Sequence, residues 1–101
     1  MGMVKRFDVY LCTTRTLTRP CVVVSPDEMN QALPYAIVAP ITTLERVFPC
    51  RLGIRLKGKQ GQVALDLIRT ISQAALTAKI GTLPESSRVE LMEMAKQMFF
   101  P

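Results

Sequence analysis

Histidine and tryptophan are both absent from the 101-residue chain. Without imidazole, histidine-dependent triads, histidine general bases and histidine-ligated metals are excluded. The three cysteines, Cys12, Cys21 and Cys50, are odd in number and lack close metal-ligand spacing, which argues against a disulfide framework and a zinc site. No apolar stretch reaches the ~20 residues of a membrane-spanning helix and no signal peptide is recognised, so the sequence predicts a cytoplasmic protein. Any catalysis has to use arginine, threonine, serine, tyrosine and carboxylates.

The composition predicts a single domain over residues 1–101, because 49% of the residues are hydrophobic and the length suits one core. Thirteen basic residues against eight acidic ones give a net charge of +5. Such a balance favours a polyanionic partner, either nucleic acid or an acidic protein.

Short apolar and β-branched segments fill the first two thirds of the chain. Phe7, Val9 and Leu11 alternate with polar or smaller residues and predict a first strand, which a basic, hydroxyl-rich loop at 13–18 follows. Pro40, near the end of a later strand, has to lie at an edge or bulge because it cannot donate to a β-ladder. Further strands are predicted at 21–24, 35–39, 51–56 and 63–65, with a glycine turn at 58–61.

The 51–56 segment has the clearest strand periodicity, with Leu52, Ile54 and Leu56 on one face and Arg51 and Arg55 on the other. The surrounding stretch contains no acidic residue. This basic stretch either binds a phosphate backbone or is an ordinary solvated strand and hairpin. Its basic residues are Arg46, Arg51, Arg55, Lys57 and Lys59.

The C-terminal third is predicted to be helical. Helical propensity rises at 72–78, is broken at Gly81 and resumes after Pro84, where Ser87 and Glu90 have the spacing of a capping box. The last helix is expected to end near Phe99 and to pack an apolar stripe on the sheet. That stripe comprises Leu91, Met92, Ala95, Met98 and Phe99. Strands first and a helix last predict an α+β, mostly β fold: a curled antiparallel sheet or small barrel with a C-terminal α-helix.

Three short motifs carry candidate functional groups. Pro20 restricts the backbone of Arg19 to extended geometry. The side chain of this arginine therefore has a defined direction, and its partner is either a phosphate or a structural carboxylate. Thr42 and Thr43 follow a buried strand, where a hydroxyl can bond a phosphate oxygen or simply close a turn. Asp66 and Arg69 place a carboxylate near a guanidinium, an arrangement that is more often structural than functional.

The order of these segments resembles the MazF/PemK toxin family. The resemblance rests on Arg19-Pro20 at a strand entry, on Pro40-Ile41-Thr42 at a strand exit and on the segment 66–70 after them. It implies the toxin of a type II toxin–antitoxin module: a homodimer of a small SH3-like barrel that cuts single-stranded RNA without a metal or cofactor. A cognate antitoxin, with an acidic segment that folds over the dimer, is the implied protein partner.

By motif position the resemblance implies Arg19 and Thr42 as the catalytic pair, with Asp66 as a possible further participant. The attacking group is the ribose 2′-hydroxyl, and Arg19 and Thr42 stabilise the charge that develops on the phosphate. Arginine is a poor general base because its pKa lies above ~12. The expected RNA-binding residues are Arg15, Thr43, Arg46, Arg51, Arg55, Lys57 and Arg69.

The sequence also departs from the family pattern. The 13–18 loop is shorter than the usual first loop, Leu67 stands where glutamine is common, and Ala64 occupies a position that is basic in some relatives. Two other functions therefore stay open. One is a non-enzymatic inhibitor of DNA gyrase resembling CcdB, which would act through its C-terminal residues 98–101. The other is a catalytically impaired relative that only binds an antitoxin.

Overall fold

The computed structural model describes residues 3–43 and 47–100. These residues form one antiparallel sheet of seven strands, two α-helices and two single-turn 3-10 helices. The strands are β1 (Asp8–Thr13), β2 (Thr18–Val23), β3 (Tyr35–Thr43), β4 (Arg51–Leu56), β5 (Lys59–Ala64), β6 (Arg69–Ser72) and β7 (Leu76–Thr82). The helices are α1 (Asp27–Ala32) and α2 (Glu85–Phe99), and the 3-10 turns are Leu65–Leu67 and Gln73–Ala75.

The sheet is organised around β3, which has three partners. The strand order is β4-β5-β3-β2-β1-β7, and β6 pairs with β3 outside this path. Up to Pro40, β3 pairs with β2 and β6, and from Ile41 onward it pairs with β5. Pro40 therefore lies where the strand changes partners, a position that tolerates a missing backbone donor.

The sheet is strongly curled, so that its two end strands approach each other. A Cβ atom built on Gly81 of β7 would lie 3.9 Å from Cδ1 of Leu56 in β4. This curl, together with the C-terminal helix, confirms the predicted mostly β fold with a curled antiparallel sheet.

The two faces of the sheet contact different surroundings. One, which we call the helix face, packs against α2 and contains the buried residues Val22, Ala39, Ile41, Val63 and others. The opposite face contains a second buried cluster, formed by Val4, Cys12, Cys21, Val23, Ala36, Val38, Ile71 and Leu76. We call this opposite face the arginine face, because Arg19 and Arg69 extend it through the strand alternation.

Helix α2 ends at Phe99 as predicted, but only part of its apolar stripe is buried. Leu91 is 1% exposed, and Ala95 and Met98 pack against the helix-face core. Met92 and Phe99 are 38% and 56% exposed instead. They line a groove of about 510 Å³ between α2 and the sheet.

Two predictions for the region before α2 are wrong. Residues 72–78 contain one 3-10 turn and the start of β7 rather than a helix. β7 pairs with β1 from Cys12–Leu76 to Asp8–Thr82. This tertiary pairing outweighs the local helical propensity. The predicted capping box is absent, since Pro84 is the N-cap residue and its cap has no side-chain hydrogen bond.

Two turns also differ from the sequence prediction. The β4–β5 hairpin turns at Lys57 and Gly58, with φ angles of 49° and 81°, because a two-residue turn of this hand needs positive φ at both central residues. Gly61, predicted in the turn, lies inside β5. After the strand predicted at 21–24, the chain turns into helix α1, which the sequence analysis missed.

Candidate active site

Strand alternation places Arg19 and Thr42 on the arginine face. In the β2–β3 ladder, Cys21 lies opposite Pro40. Arg19 is two residues before Cys21 and Thr42 is two residues after Pro40, so the alternation along each strand places both on the face of that pair. Two sequence motifs that are 23 positions apart, as the numbering shows, thus lie on the same face of the sheet.

A cavity of about 330 Å³ lies on this face beside Arg19. Its wall includes Arg19, Pro40, Leu67 and Arg69, and no carboxylate of the described part of the chain lines it. Within residues 3–43 and 47–100, neither arginine forms an ion pair. Both guanidinium groups are therefore available to an anion, which favours the phosphate-binding interpretation of Arg19 over a structural ion pair.

The Thr42 hydroxyl is buried and has no hydrogen-bond partner among the described residues. Gln62 of β5 lies opposite Thr42 in the ladder and is 2% exposed. A buried hydroxyl without a partner costs free energy, of the order of 1–3 kcal/mol, unless a ligand supplies the missing bond. Thr42 therefore presents a donor ready for a ligand oxygen.

Asp66 is held by Arg51 and not by Arg69. The Nε and Nη2 atoms of Arg51 donate to the two carboxylate oxygens of Asp66 at 3.0 and 2.9 Å. The Arg51 guanidinium also lies 4.7 Å from the ring centre of Phe48. Hydrogen bonding from Arg51 lowers the pKa of Asp66, and the Cys50 thiol adds a smaller effect in the same direction. The carboxylate is thus a weaker base than an ordinary aspartate.

The other expected RNA-binding residues that the structure describes lie in different settings. Arg15 is exposed in the β1–β2 turn, and Thr43 is exposed at the end of β3. Arg55 projects from the outer side of β4, where its Nη1 donates to the Gly58 carbonyl at 3.3 Å, and Lys57 occupies the hairpin turn. Arg46 lies outside the described residues.

The sequence analysis missed three neighbours of this site. Gln62 was not singled out, although the structure places it beside Thr42. Cys12 and Cys21, which the sequence analysis considered only as disulfide or zinc-site candidates, both line the cavity that contains Arg19. Only the strand register reveals these neighbours, and a single sequence does not give the register.

Among the described residues, no group of three or more cysteine, aspartate or glutamate side chains could hold a metal ion. In the same part of the chain, no helix is long and apolar enough to cross a membrane.

A family model described as the PemK-like, MazF-like toxin of type II toxin–antitoxin systems matches residues 5–99. The chain belongs to this toxin family. The match spans both the Arg19 motif and the Thr42 motif, so the predicted family is confirmed. No curated protein matches the chain.

Several solved structures share the PemK/MazF-like fold with this chain. A mycobacterial endoribonuclease in complex with its cognate antitoxin has a TM-score of 0.87 at 20% identity, with 97% of each chain covered. A Mycobacterium tuberculosis MazF toxin has a TM-score of 0.81 at 23% identity, covering 91% of this chain and 95% of its own. A MazE–MazF complex from Deinococcus radiodurans gives 0.84 at 17% identity, covering 99% and 98%.

The family match bears on one of the two alternatives left open by the sequence. A PemK-like, MazF-like toxin is favoured over a gyrase inhibitor resembling CcdB. The exposed Phe99 and Phe100 at the end of α2 remain without an assigned role.

Proposed function

We propose that this toxin is a metal-independent endoribonuclease that cleaves single-stranded RNA at the arginine face. The proposal is supported by two features of one sheet face: Arg19 has no carboxylate partner among the described residues, and the buried hydroxyl of Thr42 has no hydrogen-bond partner there. A cation and a hydrogen-bond donor on one face suit a phosphate whose negative charge increases during reaction.

The reaction is an internal phosphoryl transfer. The ribose 2′-oxygen attacks the adjacent phosphorus, the bond to the 5′-oxygen of the next nucleotide breaks, and a 2′,3′-cyclic phosphate and a 5′-hydroxyl result. Arg19 binds a non-bridging phosphate oxygen and neutralises its charge, while Thr42 donates a hydrogen bond to the same group. Both residues are fixed on strands, which favours a productive geometry.

Asp66 enters this proposal as a positioning residue and not as the general base. Its carboxylate receives two bonds from Arg51, and its lowered pKa weakens it as a proton acceptor. By holding Arg51 beside Phe48, Asp66 fixes one cation next to the candidate site. The remaining proposed RNA contacts are Arg15, Thr43, Arg46, Arg51, Arg55, Lys57 and Arg69.

We further propose that the toxin is a homodimer and that a cognate antitoxin neutralises it. Two structures with the same fold are complexes with antitoxins, which supports such a partner here. The net charge of +5 suits an acidic antitoxin segment. We place the toxin in the cytoplasm, where mRNA is its substrate.

The test is incubation of the purified protein with a long, mostly unstructured RNA in the presence of a chelator, with cuts mapped by primer extension. Arg19→Ala is the test variant, and Lys96→Ala, which removes an equal charge from the exposed side of α2, is its matched control. We expect discrete cuts that Lys96→Ala retains and that Arg19→Ala reduces by about 100-fold or more. Light scattering of the same preparation should give a dimer.

Intact RNA with the unmodified toxin would contradict the proposal and favour the impaired, antitoxin-binding relative. Equal cleavage by Arg19→Ala would remove Arg19 from the mechanism. A monomer at micromolar concentration would contradict the dimer.

A further inference from the structure

Gly53 is an exposed glycine in the middle of β4, on the arginine face of the sheet. A glycine inside a strand weakens the strand, because its backbone is freer in the unfolded chain and it has no side chain to pack. Such a glycine is explained by a special backbone conformation, by a bulge, by close packing, or by the approach of a ligand or another backbone. The structure distinguishes these explanations for Gly53.

The first three explanations do not apply to Gly53. It does not have the positive φ angle that Gly58 has. The β4–β5 ladder has no register shift around it, so it forms no bulge. A Cβ atom built on Gly53 would have no neighbour within 4 Å, whereas one on Gly61 would lie 3.0 Å from Ile41 Cγ2. The approach of a partner molecule to this face is therefore the explanation that is left.

The side chains beside Gly53 favour an anionic partner. Arg51 and Arg55 are two residues before and after it, so the strand alternation places all three on one face, with about 7 Å between successive positions. The Arg51 guanidinium is held in place, since it donates to Asp66 at 2.9 and 3.0 Å and lies 4.7 Å from the ring centre of Phe48. Gly53 is thus the floor of an opening that two cationic side chains flank.

This opening lies in line with Thr42. Gln62 of β5 pairs with Gly53 on one side and with Thr42 on the other, so the three positions form one row across β4, β5 and β3. Two strand spacings, about 10 Å, separate Gly53 from Thr42. A nucleotide adjacent to a phosphate at Thr42 can therefore reach Gly53.

We propose that the opening over Gly53 binds a nucleobase of the RNA close to the phosphate that reacts. The base lies flat on the glycine backbone between Arg51 and Arg55, because guanidinium planes and bases stack on each other. A phosphate alone does not need the missing side chain, since long arginine side chains reach it above the strand. A flat base does need it, because a side chain at position 53 would occupy its place. This inference rests on the proposed function, since it extends the same RNA-binding face.

The test compares two exposed strand positions. Gly53→Val fills the opening, and Ala78→Val, at an exposed position of β7, is the matched control. Fluorescence anisotropy measures the affinity for short 2′-O-methyl oligomers of U, C and A, which cannot react, and for an abasic strand of the same length. The unmodified toxin should bind at least one oligomer more tightly than the abasic strand. Gly53→Val should reduce this preference by about 10-fold, and Ala78→Val should retain it.

Two further measurements separate base binding from a structural role of Gly53. Gly53→Ala is a smaller change and should reduce the preference by about 3-fold, while circular dichroism shows that each variant is folded. In cleavage of the long RNA, Gly53→Val should raise KM by about 10-fold and leave kcat unchanged, because Arg19 and Thr42 are intact. A structural role would instead lower stability and kcat together.

An unchanged base preference in folded Gly53→Val, or equal affinity of the unmodified toxin for the abasic strand and every oligomer, would overturn the inference. If Gly53→Val kept its RNA affinity but became monomeric, the opening would belong to a contact with a second protein chain instead. A toxin that shows the expected base preference and leaves the long RNA intact would contradict the proposed function alone. Cleavage with an unchanged KM in Gly53→Val would contradict the base position alone.

Discussion

The helix face and the arginine face are built from the same strands, but their side chains differ in burial and polarity. The helix face is closed by α2 and buries aliphatic residues such as Leu91, Val22 and Val63 at 1% exposure or less. The arginine face has only a partial apolar cluster and continues into Arg19, Thr42 and Arg69. Alternation along a strand thus separates the residues that stabilise the fold from those proposed to act on RNA.

The largest effect on stability is expected on the helix face. Leu91→Ala removes a buried side chain from the contact between α2 and the sheet and should lower the free energy of unfolding by about 2–5 kcal/mol. Urea denaturation measures this change in the free energy of unfolding. Val89→Ala on the same helix, where Val89 is 61% exposed, is the control and should change little. Equal effects of the two substitutions would contradict the packing of α2.

Alanine substitutions at two glycines allow a direct comparison of the packing on the two faces. A Cβ atom on Gly61 would lie 3.0 Å from Ile41 Cγ2 and 3.2 Å from the Thr42 carbonyl oxygen, whereas one on Gly53 would have no neighbour within 4 Å. Gly61→Ala should therefore destabilise the fold by about 1–3 kcal/mol. Gly53→Ala on the arginine face should be neutral or stabilising by up to about 1 kcal/mol. Thermal unfolding of both variants tests this, and the reverse order would show that the faces are misassigned.

The smallest effect concerns the pH dependence of the Asp66–Arg51 pair. The pKa of Asp66 is lower in the folded chain than in the unfolded one. The pair therefore stabilises the fold above the unfolded value of ~3.9, and this contribution is lost as the pH falls through the lowered folded pKa. Asp66→Asn should be slightly less stable than the unmodified toxin at pH 7, and the two unfolding midpoints should converge in acid. A constant difference would contradict the shift.

Local patterns predicted the elements whose two faces differ in polarity. The alternation in 51–56 matches β4, with Leu52 and Ile54 buried and Arg55 exposed. Pro84 and the apolar stripe predicted α2 with its C-terminal end at Phe99. These elements follow from periods that a single sequence displays.

Long-range pairing decided the elements that local patterns missed. The helix-prone residues after Ser72 form β7 because β1 offers them an edge to pair with. The same difference applies to the candidate site. Sequence motifs identified Arg19 and Thr42. The contact between Asp66 and Arg51, in contrast, depends on the β4–β5 pairing of Arg51 with Ala64. Such contacts join residues that are distant in sequence, and no local pattern encodes them.

Thr42→Val tests the central claim most directly, because valine keeps the shape of the side chain and removes only the hydroxyl. The account predicts that unfolding stability stays the same or rises by about 1 kcal/mol, since a buried donor without a partner is removed. It also predicts that the rate of RNA cleavage falls at least about 10-fold. A less stable variant that cleaves RNA at the full rate would show that the Thr42 hydroxyl is structural and would contradict the account.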